Sequence, residues 1–219
     1  MWDGSTVAMI AKSLLETLYM TVLSTSLAYV LGLPLGVLLV ISEKNGILPL
    51  PKLNKLLNLV VNVVRSVPFL ILLIAVIPFT RFVIGTTIGS TATVVPLVIG
   101  AAPFIARLVE SSIKEVDKGV IEAAISMGCS PFQIICKVMI PEAVPSLIVG
   151  AAIATTTILG YSAMAGIVGG GGLGDTAIRY GYYRYQKDIM VVTVALLVVV
   201  VQVVQEAGMK IARRQDKRK

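Results

Sequence analysis

The chain has 219 residues, 56% of them hydrophobic and only 14% charged, with a mean hydropathy of +0.90. Soluble domains carry about 25% charged residues, so this chain has too little polar surface to cover itself in water, and the composition points to an integral membrane protein. Nineteen Lys and Arg against twelve Asp and Glu give a net charge of +7, and the absence of His removes the side chain most used for proton shuttling and metal binding at neutral pH, which argues against acid–base or zinc chemistry.

Crossing a bilayer takes about 20 mostly apolar residues, and five stretches meet that requirement: 18–41, 56–79, 88–109, 143–168 and 189–207. The residues before the first, 1–17, include Asp3 and lack a basic leader; they read as a short amphipathic lead-in on the outer surface, not a cleavable signal. Six prolines (Pro34, Pro68, Pro78, Pro96, Pro103 and Pro145) lie in or at the edges of four spans, with Gly32, Gly36, Gly89, Gly100, Gly150 and Thr155–Thr156–Thr157 beside them. Each proline frees backbone groups that lipid cannot satisfy, and the small residues let helices approach and hydrogen-bond across a bundle. Kinked helices around a transport path are therefore expected. The fifth span is almost uniformly aliphatic and suits a peripheral helix facing lipid.

Within span two, Arg65 lies about 13 Å along a helix from Leu56, close to mid-depth. A central arginine costs about 2.5–3.5 kcal/mol on insertion scales. It either faces the interior or a wet cavity, near carbonyls freed by a break at Ser66-Val67-Pro68-Phe69, or snorkels to the interface through a kink.

Five spans put the termini on opposite sides. Loop 42–55, loop 107–142 and the tail hold thirteen Lys and Arg (Lys44, Lys52, Lys55; Arg107, Lys114, Lys118, Lys137; Lys210, Arg213, Arg214, Lys217, Arg218, Lys219). The opposite segments hold five, namely Lys12, Arg81, Arg179, Arg184 and Lys187. The positive-inside rule then expects the N-terminus outside and the C-terminus in the cytoplasm, the tail lying against anionic lipid and not nucleic acid. Cys129 and Cys136 fall on the reducing side and match no metal or redox motif.

Loop 110–142 is the most patterned polar stretch and reads as two short helices. Asp117 or Gly119 is placed to cap the first, Glu122 stands in its first turn where the dipole favours an anion, and Gly128 can end it in the left-handed conformation. Ser130 then caps the second, Pro131 takes its first position, Gln133 completes an S-x-x-Q capping box, and Pro141 closes it.

Glu122-Ala123-Ala124, three residues, Gly128, nine residues, then Val138-Met139-Ile140-Pro141 resembles the "EAA" signature of permease subunits of ABC importers, the MetI-like superfamily, departing from it by Val138 for Ile and Ile140 for Leu. RSVPFLILLIAVIPFTR (65–81), GTTIG (85–89), GAAPFIAR (100–107), GYSAMAG (160–166), GGLG (171–174) and YGY (180–182) look like the permease of the methionine-uptake branch. The resemblance spans nearly all of 12–210 and implies one all-helical transmembrane domain over 1–219, with a coupling loop at 110–142 between spans three and four. It implies a homodimer working with two copies of a cytoplasmic ATPase, which alone uses ATP and Mg, and an extracytoplasmic methionine-binding lipoprotein, importing methionine of either hand across the bacterial cytoplasmic membrane by alternating access. Another small amino acid or related compound is the alternative substrate. Coupling to the ATPase would fall to Gly119, Glu122, Ala123, Ala124, Met127, Gly128, Ser130, Pro131 and Pro141. Tyr161, Ser162 and Met164, beside the Thr-rich stretch, are candidates for lining the path together with Arg65, core packing being an equal reading of Met164.

Gly169, Gly171 and Gly174 satisfy G-x-G-x-x-G, but they follow a span and not a strand, so an outer gate, a docking turn or plain loop flexibility is the better reading. The sequence has no G-x-x-x-x-G-K-[ST], so energy must come from a partner or an ion gradient. Gly160-Tyr161-Ser162-Ala163 resembles the Gly-x-Ser of membrane serine proteases, yet the chain has no His to serve as base and no Lys within a span. Ion-coupled transport lacks its usual intramembrane acids.

Overall fold

The computed structural model describes residues 3–215, which form helices joined by short turns, with no strand among the described residues. In chain order these are α1 (Gly4–Ile41), α2 (Pro51–Ser66), α3 (Phe69–Ala75), α4 (Ile77–Ile84), α5 (Ser90–Lys114), α6 (Lys118–Ser126), α7 (Pro131–Ile134), α8 (Ile140–Ala165), α9 (Gly172–Thr176) and α10 (Lys187–Gln215). A π-helical turn, Ile135–Met139, joins α7 to α8. A second, Ala177–Tyr182, extends α9. The basic residues Lys217, Arg218 and Lys219 lie outside the described residues, as do Met1 and Trp2.

Four helical runs are long and apolar enough to cross a membrane: Gly4–Ile41, Ser90–Lys114, Pro131–Val168 and Lys187–Gln215. A fifth exists only if α2 and α3 count as one span, for they meet at 101°. The continuous second span expected over 56–79 is thus corrected to a bent pair followed by α4. The cause is Pro68, which disfavours the helical conformation at Val67 and itself adopts φ −55°, ψ 133° as the residue ahead of α3.

The lead-in is also corrected: residues 4–17 are the start of α1, not a separate surface segment. Nothing breaks the helix before Pro34, and the hydroxyls of Ser13, Thr17 and Thr21 donate to carbonyls four residues back, which absorbs their polarity within the helix. Asp3 opens it, one carboxylate oxygen accepting from the Thr6 amide at 2.9 Å and from the Ser5 and Thr6 hydroxyls. These bonds, the Thr6 amide first, hold the Asp3 carboxyl down at about 2.

The chain divides into two compact units. One collects the residues up to Leu27, Val67–Ala101 and Thr155–Gln205; the other collects Ala28–Ser66, Ala102–Ala154 and the residues from Glu206 onward.

In the second unit, Leu39, Val61 and Ala106 are fully buried, with Leu35 and Leu57 packed on them. Gly32 and Gly36 let the end of α1 lie directly on α5. A Cβ on Gly36 would stand 2.6 Å from the Ala106 carbonyl oxygen, and one on Gly32 would stand 2.7 Å from Ile105 Cγ2. Helix α2 is apolar on the outside: Leu56, Leu59, Val60 and Val63 are exposed, while Asn54 and Asn58 turn inward. The Asn54 amide donates to the Leu39 carbonyl and to Ser42 Oγ, and that of Asn58 donates to Asn54. A helix whose polar stripe faces protein and whose apolar stripe faces outward suits a lipid surround.

In the first unit, α9 docks on α1. The Gly172 amide donates to Glu16 Oε2 at 2.9 Å and the Leu173 amide to Thr17 Oγ1 at 2.8 Å. Ser13 and Thr176 share a hydroxyl hydrogen bond of 2.6 Å. Two of the amides that a helix start leaves without partners are thereby satisfied by side chains from another helix.

Candidate functional site

The loop between α5 and α8 folds as its residues dictate. Asp117 precedes α6 and accepts from the Gly119 amide at 2.6 Å, so Asp117 is the cap and Gly119 the residue it holds. Gly128 sits at φ +78°, after which Ser130 starts α7. Its capping box with Gln133 is complete: the Ser130 amide donates to Gln133 Oε1 at 2.8 Å, and Ser130 Oγ accepts from the Gln133 amide.

Pro141 does not close the second helix. Helix α7 runs on through Ile135–Met139 into α8, and Pro141 is its second residue. The π-turn supplies the reason: its wider register, with the Ile140 amide donating to the Ile135 carbonyl, accommodates a proline ring that an unbroken α-helix would push against the carbonyl four residues back.

Glu122, Ala123, Met127 and Gly128 are exposed and form one outward surface, to which Val120, Ile125 and Phe132 add apolar area. Met127 is 76% exposed and Phe132 74%, the largest apolar exposures of the loop. Ala124 points the other way and is buried, so its small size serves packing within the chain and not approach from outside. Phe132 escaped the sequence reading; an exposed aromatic inside a rigidly capped helix was the available signal.

A polar cluster supports this loop where it leaves α5. Arg107 donates through one guanidinium nitrogen to Glu110 at 2.5 Å, and through the other to Asn58 at 2.7 Å and Asn62 at 2.8 Å. Lys114 pairs with Glu110 at 2.8 Å and with Glu43 at 2.7 Å. The sequence reading counted Arg107 and Lys114 only as orientation charges. The i−3 and i+4 spacing of both about Glu110, and an asparagine every fourth residue along an apolar helix, were the signs that these groups meet.

The path candidates divide. In the first unit Tyr161 stacks on Phe69, ring centroids 4.2 Å apart and planes within 3° of parallel, which places the bend at Pro68 beside it. Ser162 is buried and donates to the Leu159 carbonyl of its own helix. Met164 is 48% exposed and so is not packed within this chain. Arg65 belongs to the second unit, where it is exposed in the last turn of α2, a position the helix dipole favours for a cation. A cavity of about 300 Å³ in the second unit is lined by Ser112, Glu115, Glu142, Ser146 and Arg213 among others, and by none of the four path candidates.

The glycine-rich segment is not a loose loop. Gly172, Leu173, Gly174, Asp175 and Thr176 are all buried in α9, held by Glu16 and Thr17, which corrects the flexibility expected of it.

Residues 32–214 match the family model described as "binding-protein-dependent transport system inner membrane component". The chain belongs to this family. This inner membrane component is 53% identical over 203 residues to a probable D-methionine transport system permease protein of Vibrio cholerae, covering 93% of this chain and 90% of the relative. It is 45% identical to the corresponding protein of Pasteurella multocida, over 96% and 97% of the two chains. Among solved structures, a chain of a methionine ABC transporter in an inward-facing conformation superposes with a TM-score of 0.97 at 44% identity, over 99% of this chain and 100% of that one.

Proposed function

We propose that this inner membrane component is the permease subunit of an ATP-driven methionine importer. It acts as a homodimer with two copies of a cytoplasmic ATPase, which binds ATP and Mg, and with an extracytoplasmic methionine-binding lipoprotein. The observation that carries this reading is the near-complete likeness to a chain of a methionine ABC transporter. In this reading residues 1–219 are one transmembrane domain of the bacterial cytoplasmic membrane, with the N-terminus outside and the C-terminus inside, as the distribution of basic residues favours.

Helices α6 and α7 then face the cytoplasm and dock on the ATPase through Glu122, Ala123, Met127, Gly128 and Phe132. Asp117, Gly119, Ser130 and Pro131 hold the two short helices in shape, and Ala124 anchors them from beneath. Closure of the ATPase dimer on ATP moves this surface, and α8, continuous with it, carries the motion into the membrane. The path passes Tyr161, stacked on Phe69, and the exposed Met164; Ser162, bonded within its helix, shapes the backbone between them.

The test is ATP-driven uptake of labelled methionine by the complex in liposomes, with unlabelled L-methionine, D-methionine and other small amino acids as competitors. Competition by both methionine enantiomers is the expected result. Competition by a different amino acid at lower concentration would replace the substrate, and uptake without ATP would overturn the mechanism.

A further inference from the structure

The segment Tyr180–Lys187 has a surface that the transport reading does not use. Tyr182 and Tyr183 are each 66% exposed and Tyr185 is 84% exposed, beside the exposed cations Arg184 and Lys187. The turn that displays them is ordered. The Tyr183 amide donates to the Ile178 carbonyl, the Gln186 amide to the Tyr180 carbonyl and the Lys187 amide to the Tyr185 carbonyl. The Arg184 guanidinium lies 4.6 Å above the centre of the Tyr180 ring, and Tyr182 and Tyr183 meet edge to face at 5.3 Å. Tyr185 adopts φ +57°, a conformation that a tyrosine rarely occupies without constraint from its surroundings. Three large rings presented by a fixed turn are a surface built to be covered.

What covers it follows from α10, which begins at Lys187. Its residues 189–205 contain no charge and span about 26 Å at helical rise, near the thickness of the hydrocarbon core. Val191, Val194, Val198 and Val203 are all more than 45% exposed and spread over about half of the helix circumference, so α10 shows apolar surface on a broad outward side. A helix of that length, apolar over so broad a side, stands in lipid. The turn immediately before it then lies at the level of the headgroups, where amphipathic rings and cations are both favoured.

We propose that Tyr182, Tyr183, Tyr185, Arg184 and Lys187 form a collar that binds the phospholipid headgroup layer, the rings seated at the acyl–glycerol boundary and the cations on the phosphodiesters. The proposal is independent of the substrate.

The experiment places a nitroxide at Tyr185→Cys, and separately at Tyr182→Cys, with Val199→Cys as the mid-helix control. The background carries Cys129→Ser and Cys136→Ser. The permease–ATPase complex is reconstituted in phosphatidylethanolamine–phosphatidylglycerol liposomes, and each labelled variant is retained if ATP-driven uptake persists. Strong spin relaxation by a lipid carrying nickel on its headgroup at 185 and 182, at least threefold that at 199, is the expected result. Relaxation at 185 and 182 by a water-soluble nickel chelate with none from the nickel lipid would put the collar in bulk solvent and overturn the proposal. Shielding of both positions from both reagents would overturn it too, by showing a second copy or the extracytoplasmic binding protein seated there.

Discussion

Replacing Glu110 by Gln tests whether the segment holding α6 and α7 rests on a buried charge cluster. The Glu110 side chain is 10% exposed and accepts from Arg107 at 2.5 Å and from Lys114 at 2.8 Å. A glutamine keeps one acceptor and turns the other position into an amide donor aimed at a cation. One charge-assisted hydrogen bond, worth about 1.5–3 kcal/mol, is lost and its neighbour weakened. Removing one member of a buried pair costs about 3–5 kcal/mol when the other is left bare. Here Arg107 retains Asn58 and Asn62, and Lys114 retains Glu43, so the expected loss is about 2–4 kcal/mol. Lys114→Met is the control: its side chain is 44% exposed, and the loss should not exceed about 1 kcal/mol. Both are read from SDS-driven unfolding of the purified permease followed by far-ultraviolet circular dichroism. Equal losses in the two variants, or double-variant losses additive within about 0.5 kcal/mol, would refute the claim that Glu110 organises the cluster.

Glu122→Arg and Gly128→Pro should each leave the permease inserted yet lower ATP-driven uptake at least tenfold, because the first reverses charge on the outward surface and the second cannot adopt φ +78°; normal uptake by both would remove the coupling role of α6–α7. Gly36→Ala should destabilise the permease by about 1–3 kcal/mol, since its Cβ would meet the Ala106 carbonyl oxygen at 2.6 Å, and Gly4→Ala, which meets nothing within 4 Å, should be neutral in the same unfolding assay. Thr17→Val removes the acceptor of the Leu173 amide and should raise hydrogen exchange at Leu173 selectively, with Gly172 still held by Glu16. Asp3 titrates lower when folded, so its contribution is complete above the unfolded carboxyl value near 3.8 and is lost as pH falls through about 2; exchange at the Thr6 amide, measured across that window and corrected for the intrinsic pH dependence of exchange, should accelerate toward the acid end, and Asp3→Ala should abolish the step.

Local chemistry was the legible part of this chain. The capping box at Ser130 and Gln133, the left-handed Gly128 and the break at Pro68 all appear where the residue types require them, because each depends on neighbours within four positions. Positive charge counted along the chain put Arg107 and Lys114 in a loop, whereas both stand in α5, and it gave no hint of Glu43, Asn58 and Asn62, which come from distant parts of the sequence. The glycine-rich segment misled for the same reason: local flexibility is what glycines report, and the groups that fix α9 are Glu16 and Thr17, some 156 positions away. Pro141 shows a different limit. A single extra residue in the preceding turn shifts the hydrogen-bond register, and nothing in the composition of Ile135–Met139 announces it.

That π-turn decides what the start of α8 can hold. Helix α7, the turn and the first part of α8, up to residue 154, are one run within the second unit, with no linker after Phe132. At Ile135–Met139 the turn holds one residue more than an α-helical turn would. Deleting one residue there would return the turn to ordinary α-helix and press the Pro141 ring against the carbonyl four residues back. The spare residue is thus the allowance by which one continuous helical run holds a proline two residues into α8.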